Sequence, residues 1–93
     1  MRTSTFVFFS DPGHGWLRVQ RAKLQQLGIE EKITPYSYQR GRWAYLEEDC
    51  DAGTFIEAMR AAGWRFIIKQ RNCAHNYSTI REYGHFMPGE MPA

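Results

Sequence analysis

The chain has 93 residues, 43% of them hydrophobic and 15% aromatic, which suits one folded domain with a modest core and argues against disorder throughout. Its formal net charge of +2 is too small to indicate a polyanionic partner, although acids concentrate in residues 47–51 and bases in residues 18–23 and 65–71. No apolar run approaches the ~20 residues that span a bilayer, and the first residues lack the apolar core of a secretory signal. We therefore expect a cytoplasmic protein without membrane association, with both Cys50 and Cys73 reduced.

The first half of the chain predicts two strands and a helix. Residues 5–9 form a short apolar run typical of a strand buried on both faces. A dense turn signal, Ser-Asp-Pro-Gly-His-Gly, occupies residues 10–15. Residues 16–19 return as a strand with Trp16 and Arg18 on one face and Leu17 and Val19 on the other. A short helix fits residues 21–27, because Gly28 can close it.

Residues 33–48 predict a β-hairpin with an aromatic face. Gly41 can adopt the positive φ of a tight turn, which favours a two-residue loop of Arg40 and Gly41. In that register Tyr38 lies opposite Trp43 and Tyr36 opposite Tyr45. All four rings then share one face. The sequence leaves open whether this face is core or an exposed binding surface.

The acidic elbow, residues 47–51 (Glu-Glu-Asp-Cys-Asp), follows the hairpin. Asp51 is predicted as the N-cap of a helix that ends at Gly63. The apolar stripe of this helix consists of Phe55, Ile56, Met59 and Ala62. Residues 64–70 alternate as a strand, with Phe66 and Ile68 on one side. The order ββαββαβ predicts an α+β domain over residues 1–86, with about five antiparallel strands, two helices on one face and a flexible tail at residues 87–93.

Several phrases of the chain resemble a group of small proteins encoded by bacteriophages and other mobile elements, for which no activity is established. The clearest are Ser-Asp-Pro-Gly-His-Gly-Trp-Leu at residues 10–17 and Tyr-Leu-Glu-Glu-Asp-Cys-Asp at residues 45–51. Leu-Gly-Ile at 27–29, Tyr-Ser-Tyr at 36–38 and Ile-Arg-Glu-Tyr at 80–83 add to the likeness. The resemblance implies a phage or mobile-element context in a bacterial host and supplies no mechanism.

Candidate chemistry in the first loop and at the cysteines is limited. Asp11 and His14 lie close enough in sequence for an acid–base pair, whereas the structural alternative is a turn in which Asp11 binds its own backbone. Cys50, Cys73, His75 and His14 lack the close cysteine pairs of a structural zinc site. We predict neither a metal nor a cofactor.

The sequence thus predicts a small non-enzymatic binding protein that docks on a host protein or defence complex. The residues expected to contact the partner are Tyr36, Tyr38, Arg40, Arg42, Trp43, Tyr45, Glu47, Glu48 and Asp49. The alternative is a nucleic-acid or nucleotide binder, including a sponge for a signalling nucleotide. Its additional candidates are Arg65, Lys69, Arg71, His75, Tyr77 and Arg81. A hydrolase built on Asp11 and His14 is a third hypothesis, and homodimerisation remains open.

Overall fold

A computed structural model describes residues 3–72 and 79–89 as a six-stranded mixed sheet with two helices. The first half contains β1 (Thr3–Ser10), β2 (Gly15–Gln20), α1 (Arg21–Gln26) and a 3-10 helix (Glu30–Lys32). The hairpin strands are β3 (Tyr38–Arg40) and β4 (Trp43–Glu47). Then come α2 (Asp51–Ala61), β5 (Arg65–Asn72), a second 3-10 helix (Thr79–Glu82) and β6 (Gly84–His85). The α+β class is confirmed, and no helix within the described ranges is long and apolar enough to cross a bilayer.

The strand order β5-β1-β2-β4-β3-β6 corrects the prediction of about five antiparallel strands. β5 pairs with β1 in parallel, from Thr3 opposite Arg65 to Ser10 opposite Asn72. The reason is topological, since α2 carries the chain past β2 and β1, and a helical crossover returns a strand in its original direction. The other pairs are antiparallel.

The hairpin also differs from the prediction in its register and in the length of its first strand, although residues within the two strands keep the expected faces. Tyr38 lies opposite Tyr45 and Arg40 opposite Trp43, so the loop consists of Gly41 and Arg42 rather than Arg40 and Gly41. Gly41 has φ +58°, whereas no non-glycine residue has a positive φ in the described chain. A positive φ at the first loop position alone is the type II′ pattern, which places glycine first. Because the pairing shifts by one residue on each strand, the side chains within β3 and β4 keep their predicted faces. The predicted pairing of Tyr36 with Tyr45 is wrong, since β3 begins at Tyr38 and Tyr36 lies in the turn before it.

The main core lies between the helices and one face of the sheet. Leu24 of α1 and Phe55 and Met59 of α2 belong to the same buried cluster as alternate strand residues. The strand members are Phe6, Leu17, Val19, Ala44 and Leu46. β1 is less buried than predicted: Phe6 is its only core member, while Phe8 packs partly against this cluster and Phe9 against the opposite side.

The second face of the sheet carries a smaller aromatic cluster. Trp16, Tyr45 and Ile80 are buried there, with four further rings packed partly against them. These rings belong to Phe9, Tyr38, Trp43 and Tyr83. Ile80 comes from the second 3-10 helix, which therefore covers part of this face. The predicted tail falls mainly outside the described residues, and within them the backbone of Met87 bonds to Arg21 and Gln39.

Candidate functional site

The loop between β1 and β2 is held from outside by an arginine of the second 3-10 helix. Asp11 Oδ1 accepts hydrogen bonds from the backbone N–H groups of Gly13 (2.9 Å) and His14 (3.0 Å). Arg81 also binds both Asp11 oxygens, at 2.9 and 3.0 Å. The Asp11 side chain is fully buried. Its carboxylate is engaged by the bidentate ion pair with Arg81 and by the two backbone amides of the turn. The geometry therefore agrees with the structural alternative for this loop, in which Asp11 binds the backbone of its own turn.

The acidic elbow differs from its predicted capping role. Cys50 occupies the N-cap position of α2, and Asp51 is the first helical residue with a fully buried side chain. Asp51 Oδ2 accepts hydrogen bonds from the Thr34 amide (3.0 Å), the Thr34 hydroxyl (2.7 Å) and the Ser37 hydroxyl. The prediction that Asp51 caps α2 is wrong, because the segment before the hairpin folds over the helix and uses this carboxylate. Asp49 remains exposed and Glu47 half-buried.

The elbow, the first loop and the hairpin aromatics meet around one cleft of about 490 Å³. The residues that line it, here called the acidic cleft, are His14, Trp16, Tyr36, Tyr38, Glu47, Asp49, Cys50 and Arg81. Tyr36 is 75% exposed at this site. The sequence predicted Tyr36, Tyr38, Glu47 and Asp49 as partner contacts, but only the fold adds His14, Trp16, Cys50 and Arg81 to them.

Ring contacts position the aromatic walls of the acidic cleft. The rings of Trp16 and Tyr38 meet edge to face with centroids 6.2 Å apart, and His14 lies 6.1 Å from Trp16. Tyr38 also stacks on His85 at 5.1 Å, and His85 Nδ1 lies 2.7 Å from the Pro35 carbonyl oxygen. These contacts leave Tyr36 as the exposed ring of the set. The sequence left open whether the hairpin aromatics are core or exposed. In the structure Tyr45 is buried, Tyr36 is exposed and Tyr38 is intermediate.

Three side chains of the acidic cleft can present ligand atoms to a cation. One atom each from His14, Glu47 and Asp49 lie within 4.8 Å of one another. A histidine with two carboxylates is a donor set that suits a divalent metal, and two adjacent carboxylates equally suit a guanidinium or ammonium group. Arg81 lines the same cleft, but its charge is matched by Asp11. The three side chains therefore make the cleft a candidate site for a metal ion or a cationic side chain.

The remaining predicted site residues are dispersed. Arg40 lies over the Tyr83 ring at 5.0 Å, and Arg42 sits at the exposed hairpin loop. Arg65, Lys69 and Arg71 are exposed on β5, on the sheet face opposite the helices. Trp43 and Glu48 lie outside the acidic cleft, and His75 and Tyr77 lie outside the described residues.

A second cavity, of about 480 Å³, lies near α1 and has the opposite charge. The residues that line this basic cavity are Ser4, Thr5, Phe6, Val7, Arg18, Gln20, Ala22, Lys23, Gln26 and Trp43. The sequence marked residues 18–23 as basic but not as a site. The sequence could not predict this cavity, because the pairing of β2 with β4 brings Arg18 to 4.6 Å from the Trp43 ring. That contact joins residues distant in sequence.

Burial in the aromatic cluster changes the pKa of Tyr45. Desolvation raises the pKa of its hydroxyl above the usual value of 10.0, and the neighbouring Tyr83 adds to the rise. Arg18 opposes the rise, both by its charge and by a side-chain hydrogen bond. The Tyr45 hydroxyl therefore stays neutral at physiological pH. Tyr45 is 7% exposed and packs within the aromatic cluster.

Comparisons with known proteins give no relative of this chain. No family model, no curated protein and no solved structure matches it. The function must therefore be argued from the geometry of the two sites.

Proposed function

We propose that this protein is a small non-enzymatic binding protein that docks on a partner protein through the acidic cleft. The observation that carries the proposal is the convergence of Tyr36, Tyr38, Glu47 and Asp49, together with His14, around one cavity. An exposed tyrosine beside a cleft with aromatic walls is typical of the anchors that dominate protein interfaces. The aromatic and acidic candidates for partner contact thus act as one surface.

The charge of the acidic cleft determines the chemistry of the partner. Glu47 and Asp49 contribute two carboxylates, and tyrosine and tryptophan rings form the adjoining walls. A guanidinium or ammonium group gains from both features, through charge-assisted hydrogen bonds and through contact with aromatic faces. The partner is therefore a protein that inserts an arginine or lysine into the cleft. The resemblance to phage-encoded proteins supports a host protein, such as a component of a defence or regulatory complex, as that partner.

The test is affinity capture with matched variants. The tagged full-length chain, its Tyr36→Ala and Asp49→Asn variants and a Glu57→Gln control are incubated with bacterial lysate, and bound proteins are quantified by mass spectrometry. Tyr36, Asp49 and Glu57 are all exposed, so none of these changes removes a core contact. Glu57→Gln changes the same charge as Asp49→Asn but lies on α2, away from the cleft.

A stoichiometric partner that Glu57→Gln retains and both cleft variants lose would support the proposal. Its binding should also be competed by an arginine-containing peptide of the partner and not by the same peptide with citrulline. Retention of the partner by the cleft variants would contradict the proposal. Capture that requires a divalent metal and is abolished by a chelator would instead assign His14, Glu47 and Asp49 to an ion.

A nucleic-acid binder is the second candidate, and one observation favours it. Arg65, Lys69 and Arg71 lie on the same sheet face as the aromatic cluster. Lys69 and Arg71 are roughly 6.6 Å apart along β5, while Ile67 lies between Arg65 and Lys69. Interleaved cations and rings suit a single strand. This candidate predicts an affinity that falls steeply with salt and drops in Lys69→Ala, with the acidic cleft variants unaffected. A hydrolase built on Asp11 and His14 has less support, because Arg81 and backbone amides occupy both Asp11 oxygens.

A further inference from the structure

The basic cavity opens where two neighbouring strands part. β1 and β2 are paired from Ser10 opposite Gly15 to Val7 opposite Arg18, and their pairing ends there. β2 continues beside β4 as far as Gln20 opposite Trp43 and then enters α1. The gap between β1 and the β2–α1 junction forms the cavity of about 480 Å³. This volume falls within the roughly 300–1,000 Å³ range of small-molecule pockets.

Arg18 is the central charge of the basic cavity. Its guanidinium carbon lies 4.6 Å from the centroid of the Trp43 ring and 5.3 Å from that of Phe9, so two aromatic side chains fix its position. The ion pairs among residues 3–72 and 79–89 are Arg21–Glu30 and Arg81–Asp11, and neither involves Arg18. Arg18 is thus half-buried and hydrogen-bonds the Tyr45 hydroxyl, but it has no carboxylate partner within residues 3–72 and 79–89.

The rest of the lining extends the positive charge and adds hydrogen-bonding groups. Lys23 enters from α1, where its Nζ lies over the Trp64 ring at 4.0 Å and donates to Gln26 Oε1 at 3.0 Å. Gln20 and Gln26 contribute amides, and Ser4 and Thr5 contribute hydroxyl groups from β1. None of the lining residues is acidic. A half-buried cation is stabilised by a counter-charge, and here the protein lining supplies none.

We propose that the basic cavity binds a small phosphorylated molecule, with its phosphate on Arg18 and Lys23. Two cations match a phosphate dianion better than a single carboxylate, and a guanidinium binds phosphate oxygens in a bidentate manner. The amides and hydroxyl groups of the lining would bind the remainder of the ligand. The cavity shares no lining residue with the acidic cleft, so this proposal and the protein-docking proposal succeed or fail separately.

The experiment measures ligand binding by the full-length protein at constant ionic strength. Thermal unfolding and calorimetric titration are recorded with inorganic phosphate, adenosine monophosphate and adenosine. Phosphate and the monophosphate should both stabilise the protein, because a ligand that binds only the folded state raises its unfolding temperature. Adenosine should have no effect. Tighter binding of adenosine monophosphate than of inorganic phosphate would indicate a nucleotide ligand. Equal binding of the two would indicate that the phosphate group alone determines affinity.

Two charge-matched variants locate the site. Gln26→Glu places a carboxylate at the cavity and pairs it with Lys23, while Gln70→Glu adds the same charge on exposed β5, outside the cavity lining. Gln26→Glu should weaken phosphate binding about tenfold, and Gln70→Glu should leave it unchanged. Both sites are exposed, so the fold is retained. Arg18→Gln should abolish binding, with folding checked by circular dichroism.

The proposal is overturned if neither phosphate nor the monophosphate shifts the unfolding temperature. Equal weakening in Gln26→Glu and Gln70→Glu would also overturn it, since the effect would then be general electrostatics. Binding of a single-stranded oligonucleotide without binding of the monophosphate would assign the basic residues to nucleic acid instead.

Discussion

Asp51 links three segments through one buried carboxylate. Thr34 and Ser37 precede the hairpin, and both donate hydrogen bonds to Asp51 Oδ2 at the start of α2. Ser37 Oγ in turn accepts a hydrogen bond from the Glu47 amide at 2.9 Å. Because Glu47 lines the acidic cleft, this buried network positions the proposed binding surface relative to the main core.

Replacement of Asp51 tests that network. Asp51→Ala would leave the Thr34 amide, the Thr34 hydroxyl and the Ser37 hydroxyl without their acceptor, and should lower the free energy of unfolding by about 2–4 kcal/mol. Asp49→Ala, at an exposed position, should change it by less than about 0.5 kcal/mol. Urea denaturation measures both. Equal midpoints for the two variants would show that the network contributes nothing.

At the scale of elements, the hairpin loop requires a glycine at position 41, whereas α2 does not require one at position 53. Gly41 in the hairpin loop has φ +58°, a conformation that strains any L side chain. Gly53 lies inside α2, and a Cβ added there meets no heavy atom within 4 Å. The hairpin therefore needs its glycine and the helix does not.

Alanine at these two positions should shift stability in opposite directions. Gly41→Ala should destabilise the protein by about 1–2 kcal/mol, because alanine in the left-handed region is strained. Gly53→Ala should stabilise it by about 0.5–1 kcal/mol, because alanine has the higher helix propensity. Thermal unfolding of both variants decides the matter. Stabilisation by Gly41→Ala would mean that the loop adopts another turn.

At the scale of the whole molecule, Arg21 joins elements distant in sequence. Its side chain is 3% exposed and donates to Gln39 Oε1 (2.5 Å) and to the Met87 carbonyl oxygen (2.9 Å). It also lies 3.5 Å from Glu30 and 4.9 Å from the Phe86 ring centroid. α1, the first 3-10 helix, β3 and the segment after β6 therefore meet at one buried guanidinium.

Removal of Arg21 should weaken the whole fold. Arg21→Ala should lower the free energy of unfolding by about 3 kcal/mol, because Gln39 and the Met87 carbonyl lose their donor and Glu30 loses its ion pair at once. Arg60→Ala, exposed in the last turn of α2, should cost less than about 0.5 kcal/mol. Hydrogen exchange would show the amide of Met87, bound to Gln39, losing protection in Arg21→Ala. Unchanged protection there would indicate that Arg21 does not hold this segment.

Patterns within short windows were enough to predict most of the elements. Alternation gave the faces of β2 and β5, and helical spacing followed by Gly63 gave α2. Despite the misplaced hairpin loop, the side chains within β3 and β4 kept their predicted faces, because a shift of one residue on both strands preserves the period of two. These features depend on residues close in sequence.

Contacts between distant residues were decided only by the tertiary structure. The parallel direction of β5 depends on how α2 crosses the sheet, and the burial of Asp51 depends on a segment 14–17 residues earlier. The meeting of His14 with Glu47 and Asp49, and of Arg18 with Phe9 and Trp43, requires strand pairings that no local pattern specifies. The sequence alone determined which residue types and faces were present for binding. Packing of the complete chain decided which of them share a site, because that choice depends on contacts distributed over the whole fold.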